Sequence, residues 1–259
     1  MIRHICAVFA HGTLCAMLVM GGCAHKADAQ SSPTPLRTLK PPSPANGVIN
    51  VAFIISEDTT LIDLAGPWEV FANTMTTSQG RPWHGGDDMV MPFNIYTVSD
   101  SQKPISAEGV QIVPNYTFDN APKPQVIVIP AQGGRSAAQK SWLLKNSATA
   151  DVTMSVCTGA SILAADGLLD HQRATSHHMY LGSLQKEYPA VQFVSGLRYI
   201  DNDKIATAAG ETSGIDLALH VVERYYGREI AQTTADFMEY RGDLWKSPQY
   251  GEVKPVAGN

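Results

Sequence analysis

Apolar and polar residues fall in blocks along this chain, and the blocks predict strands and helices in turn. Val48 to Ile55 (VINVAFII) is a continuous apolar run of strand length, as a strand covered on both faces should be. Gln125 to Ile129 and Val152 to Val156 repeat that signal, and Phe93 to Val98 and Val110 to Val113 give it more weakly. Between them the spacing predicts helices over 67–74, 136–146 and 160–165. Pro67 suits the first turn of the first helix and Glu69 suits its dipole. Further on come a short strand over 173–177, a helix over 178–188, and short strands within 192–202 and 205–209. Two last helices are expected over 215–226 and 228–240. Strands alternating with helices predict an α/β fold: a flavodoxin-like open, mostly parallel sheet with helices on both faces. Such sheets hold their sites beyond the carboxyl ends of the strands, where Asp63, Gly133, Cys157 and Gly210 all stand. The polar loop over 76–88 carries Trp83 and His84. Its length makes it a candidate lid, against the plainer reading of a surface loop.

The two ends of the chain have a different pattern. Residues 1–22 start with Arg3 and His4 and continue into an apolar run, as a secretory signal does. Leu18-Val19-Met20-Gly21-Gly22-Cys23 resembles a lipoprotein cleavage site, with Cys23 the residue to be lipidated; ordinary cleavage after Ala29 is the alternative. Residues 23–47 hold a run of Pro and Ser with little to bury and read as a flexible spacer. The folded domain is then 48–241, and 242–259 is a polar tail. These features predict an exported, periplasmic protein tethered to the membrane by its N-terminal lipid.

Composition narrows the chemistry. Net charge is −5, with no basic stripe, so nucleic acid is not an expected partner. Of four cysteines, Cys6, Cys15 and Cys23 lie in or at the end of the leader, leaving Cys157 as the one thiol of the domain. An internal disulfide and a multi-cysteine metal site are thereby excluded from it, and no cofactor is expected.

Cys157 sits where an apolar strand meets a small-residue helix through Cys-Thr-Gly. That is the layout of a nucleophile elbow, which lifts one side chain to the rim of a sheet. The plainer reading is a small buried hydrophobe. A helix N-terminus and the amides of Thr158 and Gly159 are expected to lower the thiol pKa. Asp63 is the best acid/base partner, although its spacing also suits a turn residue ahead of a helix. His177 and His178 are adjacent, so on a strand only one could face the site. His220, within an apolar helix, reads as structural.

Four stretches together resemble the DJ-1/PfpI family of the class I glutamine amidotransferase-like superfamily. They are DLAGPWEVF (63–71), SVCTGA (155–160), GLLDHQRATSHH (167–178) and GETSGIDLALHVVE (210–223). The nearest branch contains isonitrile hydratase and the sensory domains of AraC-type regulators. The resemblance implies that Cys157 is the nucleophile, Asp63 the acid beside it and Thr158 the residue that follows. It also implies that Gly134, with Gly133, lies in the turn whose amide joins that of Thr158 in an oxyanion-type hole. The usual Pro-Gly-Gly is interrupted here by Ala131-Gln132. Thr158 stands where protease-like members have His, and no glutaminase His-x-Glu pair follows. A small-molecule substrate and a homodimer are what the resemblance implies. The expected reaction is hydration of an isonitrile to an N-substituted formamide; a cysteine redox sensor or a non-catalytic binding module is the alternative.

Overall fold

The computed structural model describes residues 37–40, 47–246 and 254–256. Cys23 and the leader lie outside them. The main sheet has seven strands: β1 (Ile49–Ile54), β2 (Phe93–Ser99), β3 (Tyr116–Thr117), β4 (Val126–Ile129), β5 (Val152–Ser155), β6 (Tyr199–Asp201) and β7 (Ile205–Ala208). Their order is β6-β7-β5-β4-β1-β2-β3, parallel throughout except for the β6–β7 hairpin. Six α-helices accompany it: α1 (Leu61–Ala72), α2 (Ala137–Ser147), α3 (Ala160–Ala165), α4 (Leu181–Glu187), α5 (Ser213–Tyr226) and α6 (Arg228–Phe237).

The continuous apolar runs are explained by two cores. Val51 and Phe53 point to one face and pack with α1, α5 and α6; Ala52 and Ile54 point to the other and pack with α2, α3 and α4. Successive strand residues face opposite ways, so a strand covered on both sides must be apolar at every position. The expected α/β architecture is therefore the observed one.

Several boundaries differ from the expectation. Helix α1 begins at Leu61, six residues before Pro67, so Asp63 is in its first turn rather than in a preceding turn. Pro67 sits inside the helix, where it cannot return the usual N–H to the Asp63 carbonyl. It is tolerated because it is clamped: a Cβ on Gly214 would sit 3.0 Å from the Pro67 ring and from Val156. Val110–Ile112 pairs with Ile105–Ala107 as a separate hairpin rather than joining the main sheet. The strand expected over 173–177 is only Arg173–Ala174, and His177 and His178 lie in the turn beyond it. Their rings are 4.5 Å apart, so they stack instead of facing opposite ways.

Parts of the expected spacer and tail are docked. Leu39 is in the core and its amide donates to the Arg224 carbonyl, while Arg37 pairs with Asp203. Trp245 is fully buried, its carbonyl accepting from the Tyr199 hydroxyl, and Lys254–Pro255 adds antiparallel to Gln192–Ser195. One aromatic or aliphatic side chain in a polar stretch is enough to bind it down, which a reading of average composition misses.

Candidate active site

The elbow is built from the end of β5. Val156 is still extended, and its amide donates to the Ile129 carbonyl of β4. Cys157 then turns to a φ of +57°, a left-handed conformation that a side chain rarely takes. Its amide donates to the Ala209 carbonyl, and the buried Ser176 hydroxyl donates to its carbonyl at 2.8 Å. These bonds hold the turn on either side of the thiol. Gly159 is required for space: a Cβ there would run into the carbonyl oxygens of Ile129 and Pro130. Its amide returns to the Val156 carbonyl. The role of Gly159 is thus close approach of the elbow to β4, and its N–H is not spare.

Asp63 meets the thiol from the first turn of α1. Its carboxyl is fully buried. Oδ2 accepts from the Ala131 amide at 3.1 Å, and Oδ1 has no hydrogen-bond partner. The Cys157 thiol is close enough to favour the carboxylate electrostatically, without the geometry of an ordinary hydrogen bond. Burial pushes Asp63 up to about 7, partly opposed by the Ala131 amide and reinforced by the charge of Glu211. Burial likewise pushes Cys157 up to about 11, with the Asp63 charge adding to the rise. The amides of Thr158 and Glu211 point at the sulfur and pull the other way. The thiol is therefore protonated at rest, contrary to the lowered pKa expected from the helix start. Helix α3 has six residues, too little dipole to outweigh burial beside a carboxylate.

The remaining candidate residues fall as follows. Thr158 is half-buried beside the sulfur. The Gly133 amide donates to the Glu57 carbonyl at 2.9 Å and the Gly134 amide to Ser56 Oγ at 3.1 Å, so both are committed away from the thiol. The second amide beside the sulfur is instead that of Glu211, in a left-handed turn at φ +48°. His177 makes no hydrogen bond to Cys157. Its Nδ1 accepts from the Met179 amide, and its ring packs flat on Gly210, leaving no room for a Cβ there. It braces the loop that carries Glu211. Trp83 and His84 line a cavity of about 310 Å³ with Met75, Thr233, Asp236 and Phe237. Met75 lies just past the C-terminal end of α1, about 13 Å of helix beyond Asp63 in the first turn, so the loop lines a cavity at the other end of α1 from Asp63. Among the described residues no group of three His, Cys, Asp or Glu could hold a metal ion.

Glu211, Ser176 and Glu108 were not marked by the sequence as site residues. Glu211 lies in a loop that follows a strand, which is a signal for the loop but not for the residue. Glu108 sits in the turn of the separate hairpin, and its carboxylate accepts from the Leu61 amide at the start of α1.

The chain is similar to several known proteins. The DJ-1/PfpI family profile matches residues 49–224. Isonitrile hydratase of Pseudomonas putida is 27% identical over 197 residues, covering 74% of this chain and 78% of the enzyme. The HTH-type transcriptional regulator GbdR of Pseudomonas aeruginosa is 28% identical over 198 residues, 74% of this chain. The chain spans about half the length of that regulator, 50%. A ThiJ/PfpI family protein from Pseudomonas syringae, known as a crystal structure, superposes with a TM-score of 0.64 at 26% identity, covering 88% of this chain and 83% of that one. Drosophila melanogaster DJ-1beta shares the fold, with a TM-score of 0.62 at 14% identity over 75% of this chain and 100% of that one.

Proposed function

We propose, from the premise that this chain belongs to the DJ-1/PfpI family, that Cys157 and Asp63 hydrate an isonitrile to an N-substituted formamide. The observation that carries this reading is the Asp63 carboxyl. It is fully buried, unpartnered at Oδ1, beside the one thiol of the domain, and ionises near neutral pH, at about 7. A group with that pKa gives and takes a proton equally well at working pH. The relation to isonitrile hydratase, at 27% identity, supports the choice of substrate class.

In the proposed sequence, ionised Asp63 takes the thiol proton as the sulfur attacks the terminal isonitrile carbon. The proton passes to that carbon, giving a thioimidate. Asp63 then removes a proton from water as its oxygen adds to the same carbon. The carbon–sulfur bond breaks, nitrogen is protonated, the thiol is restored and the formamide leaves. Substrate and one water account for every atom, and no electrons are exchanged. The amides of Thr158 and Glu211 stabilise negative charge on sulfur during attack and departure.

Purified protein mixed with cyclohexyl isocyanide should show loss of the isocyanide infrared band and appearance of the formamide, both absent in Cys157→Ser. Wild-type protein that turns over no simple isonitrile on either side of neutral pH would sink the proposal.

Export, lipidation at Cys23 and pairing as a homodimer complete the proposed picture, and they rest on sequence pattern and resemblance. Labelled palmitate should enter the wild-type protein in cells and not Cys23→Ala, and sedimentation should give twice the chain mass.

A further inference from the structure

Glu211 has two ends with two different environments. Its amide points at the Cys157 sulfur, which its left-handed backbone at φ +48° makes possible. Its side chain is exposed, two residues after Ala209, whose carbonyl accepts from the Cys157 amide at 3.0 Å, and its charge acts on both Asp63 and Cys157. Glu108 reaches the same region from the hairpin. Its backbone is also left-handed, and its carboxylate is fixed on the Leu61 amide at 3.1 Å, two residues before Asp63. Behind both, the fully buried Asp63 presents the unpartnered Oδ1. The arginine bonded to this loop is already paired. Arg198 donates to Thr212 Oγ1, but its guanidinium is paired with Asp216 at 2.6 Å. His177 accepts at Nδ1 from the Met179 amide, which ties its ring to the backbone.

We propose that Glu211, assisted by Glu108, sets the charge class of molecule that reaches Cys157: neutral or cationic electrophiles enter and anionic ones are turned away. The proposal deepens the reading of Cys157 as the reacting group and rests on it. For an isonitrile it means a substituent that is uncharged or carries an amine, and not one that carries a carboxylate. Glu211 acts by its field and touches no substrate atom in this scheme. Glu108 contributes less, because one of its oxygens already faces a helix N-terminus that offsets its charge.

Two alkylating agents of similar size and opposite character test this on the intact protein: neutral iodoacetamide and anionic iodoacetate. Both react through the same thiolate, so the ratio of their rates on the Cys157 peptide, read by mass spectrometry, is independent of the thiol pKa. Wild type should favour iodoacetamide over iodoacetate about tenfold more than free cysteine does at low salt. Glu211→Gln should reduce that excess about three- to tenfold, Glu211→Lys should reverse it, and high salt should narrow it in wild type alone. The side chain is exposed, so these substitutions leave the core untouched. A ratio unmoved by Glu211→Gln and by Glu211→Lys overturns the proposal while leaving the nucleophile reading in place. A Cys157 that reacts with neither agent, in native protein at any pH, overturns both.

Discussion

Asp63 and Asp201 are both buried carboxyls, at opposite ends of the same sheet, and their surroundings could hardly differ more. Asp201 lies by the amino-terminal ends of β5 and β7. Its Oδ2 meets His220 Nε2 at 3.0 Å and Arg224 Nη1 at 2.9 Å. Arg224 goes on to Asp203 at 2.8 Å, which is shared with Arg37. Burial draws the His220 pKa down, yet its bonds to Asp201 and Glu223 outweigh that and leave it raised. Each charge there has an opposite charge against it. Asp63, beyond the carboxyl ends of β1, β4 and β5, has one amide and a thiol. A buried charge with compensation is part of the scaffold. One without it is held in readiness to change protonation state, at a cost to stability. The expectation that His220 is structural fits its place in the compensated cluster.

Breaking the compensated end should give the largest effect. Arg224→Met takes the guanidinium away from Asp201 and frees the bonds to Asp203. The expected loss is about 3–5 kcal/mol. It should appear as a lower urea midpoint, with the Cys157 alkylation rate of the folded fraction unchanged. A loss under about 1 kcal/mol, the range of a surface pair, would show that the two clusters are not different in kind.

At the uncompensated end the same class of change should have the opposite sign. The unfolded chain releases the Asp63 proton near 3.8 and the native protein near 7. Native stability contributed by the protonated form is complete below the lower value and is lost as pH rises from the one to the other. Asp63→Asn removes that loss, so it should stabilise the protein by roughly 4 kcal/mol above neutral pH and by little near pH 4. The same variant should lose hydratase turnover. It should also alkylate faster at Cys157, because the carboxylate charge that holds the thiol proton is gone. Thermal melts at acid and at alkaline pH, alongside iodoacetamide kinetics, check all three. A variant less stable than wild type above neutral pH would mean that Asp63 is held by contacts of its own.

The contrast also explains what could be read in advance. The two-faced sheet was legible because continuous apolar runs have few other solutions. The elbow was legible because a lone Cys between a strand and a small-residue helix is a local pattern. Asp63 is legible as the acid beside the thiol but not its place in a helix, since Pro67 invites a helix start that packing against Gly214 overrides. Gly133 and Gly134 marked a real turn, and the direction of an amide is not written in residue type. Their amides go to Glu57 and Ser56, while the amide that reaches the sulfur belongs to Glu211, about 54 positions beyond Cys157. Contacts of that separation are set by how β7 and α5 close on the elbow, and no periodicity records them. The sign of the thiol shift was misjudged for a related reason: dipole and amides are local, but burial beside a carboxylate is a property of the assembled fold.

Ser176 offers the finest test, because it joins the two kinds of buried group. It is 1% exposed and hydrogen-bonded, as scaffold groups are, yet its hydroxyl donates to the strained residue of the site, Cys157. Ser176→Ala leaves that carbonyl without its donor. The expected cost is about 1–2 kcal/mol in a urea melt, the range for losing one buried hydrogen bond. If the bond only fills a vacancy in the core, nothing else should change. If it holds the left-handed turn at +57°, the thiol should lose its fixed direction toward Asp63. Hydratase turnover should then fall by about tenfold with substrate affinity kept, and Ser176→Thr, which restores the hydroxyl, should recover part of the rate. An unchanged rate in Ser176→Ala, together with the stability loss, would assign the residue to the scaffold alone.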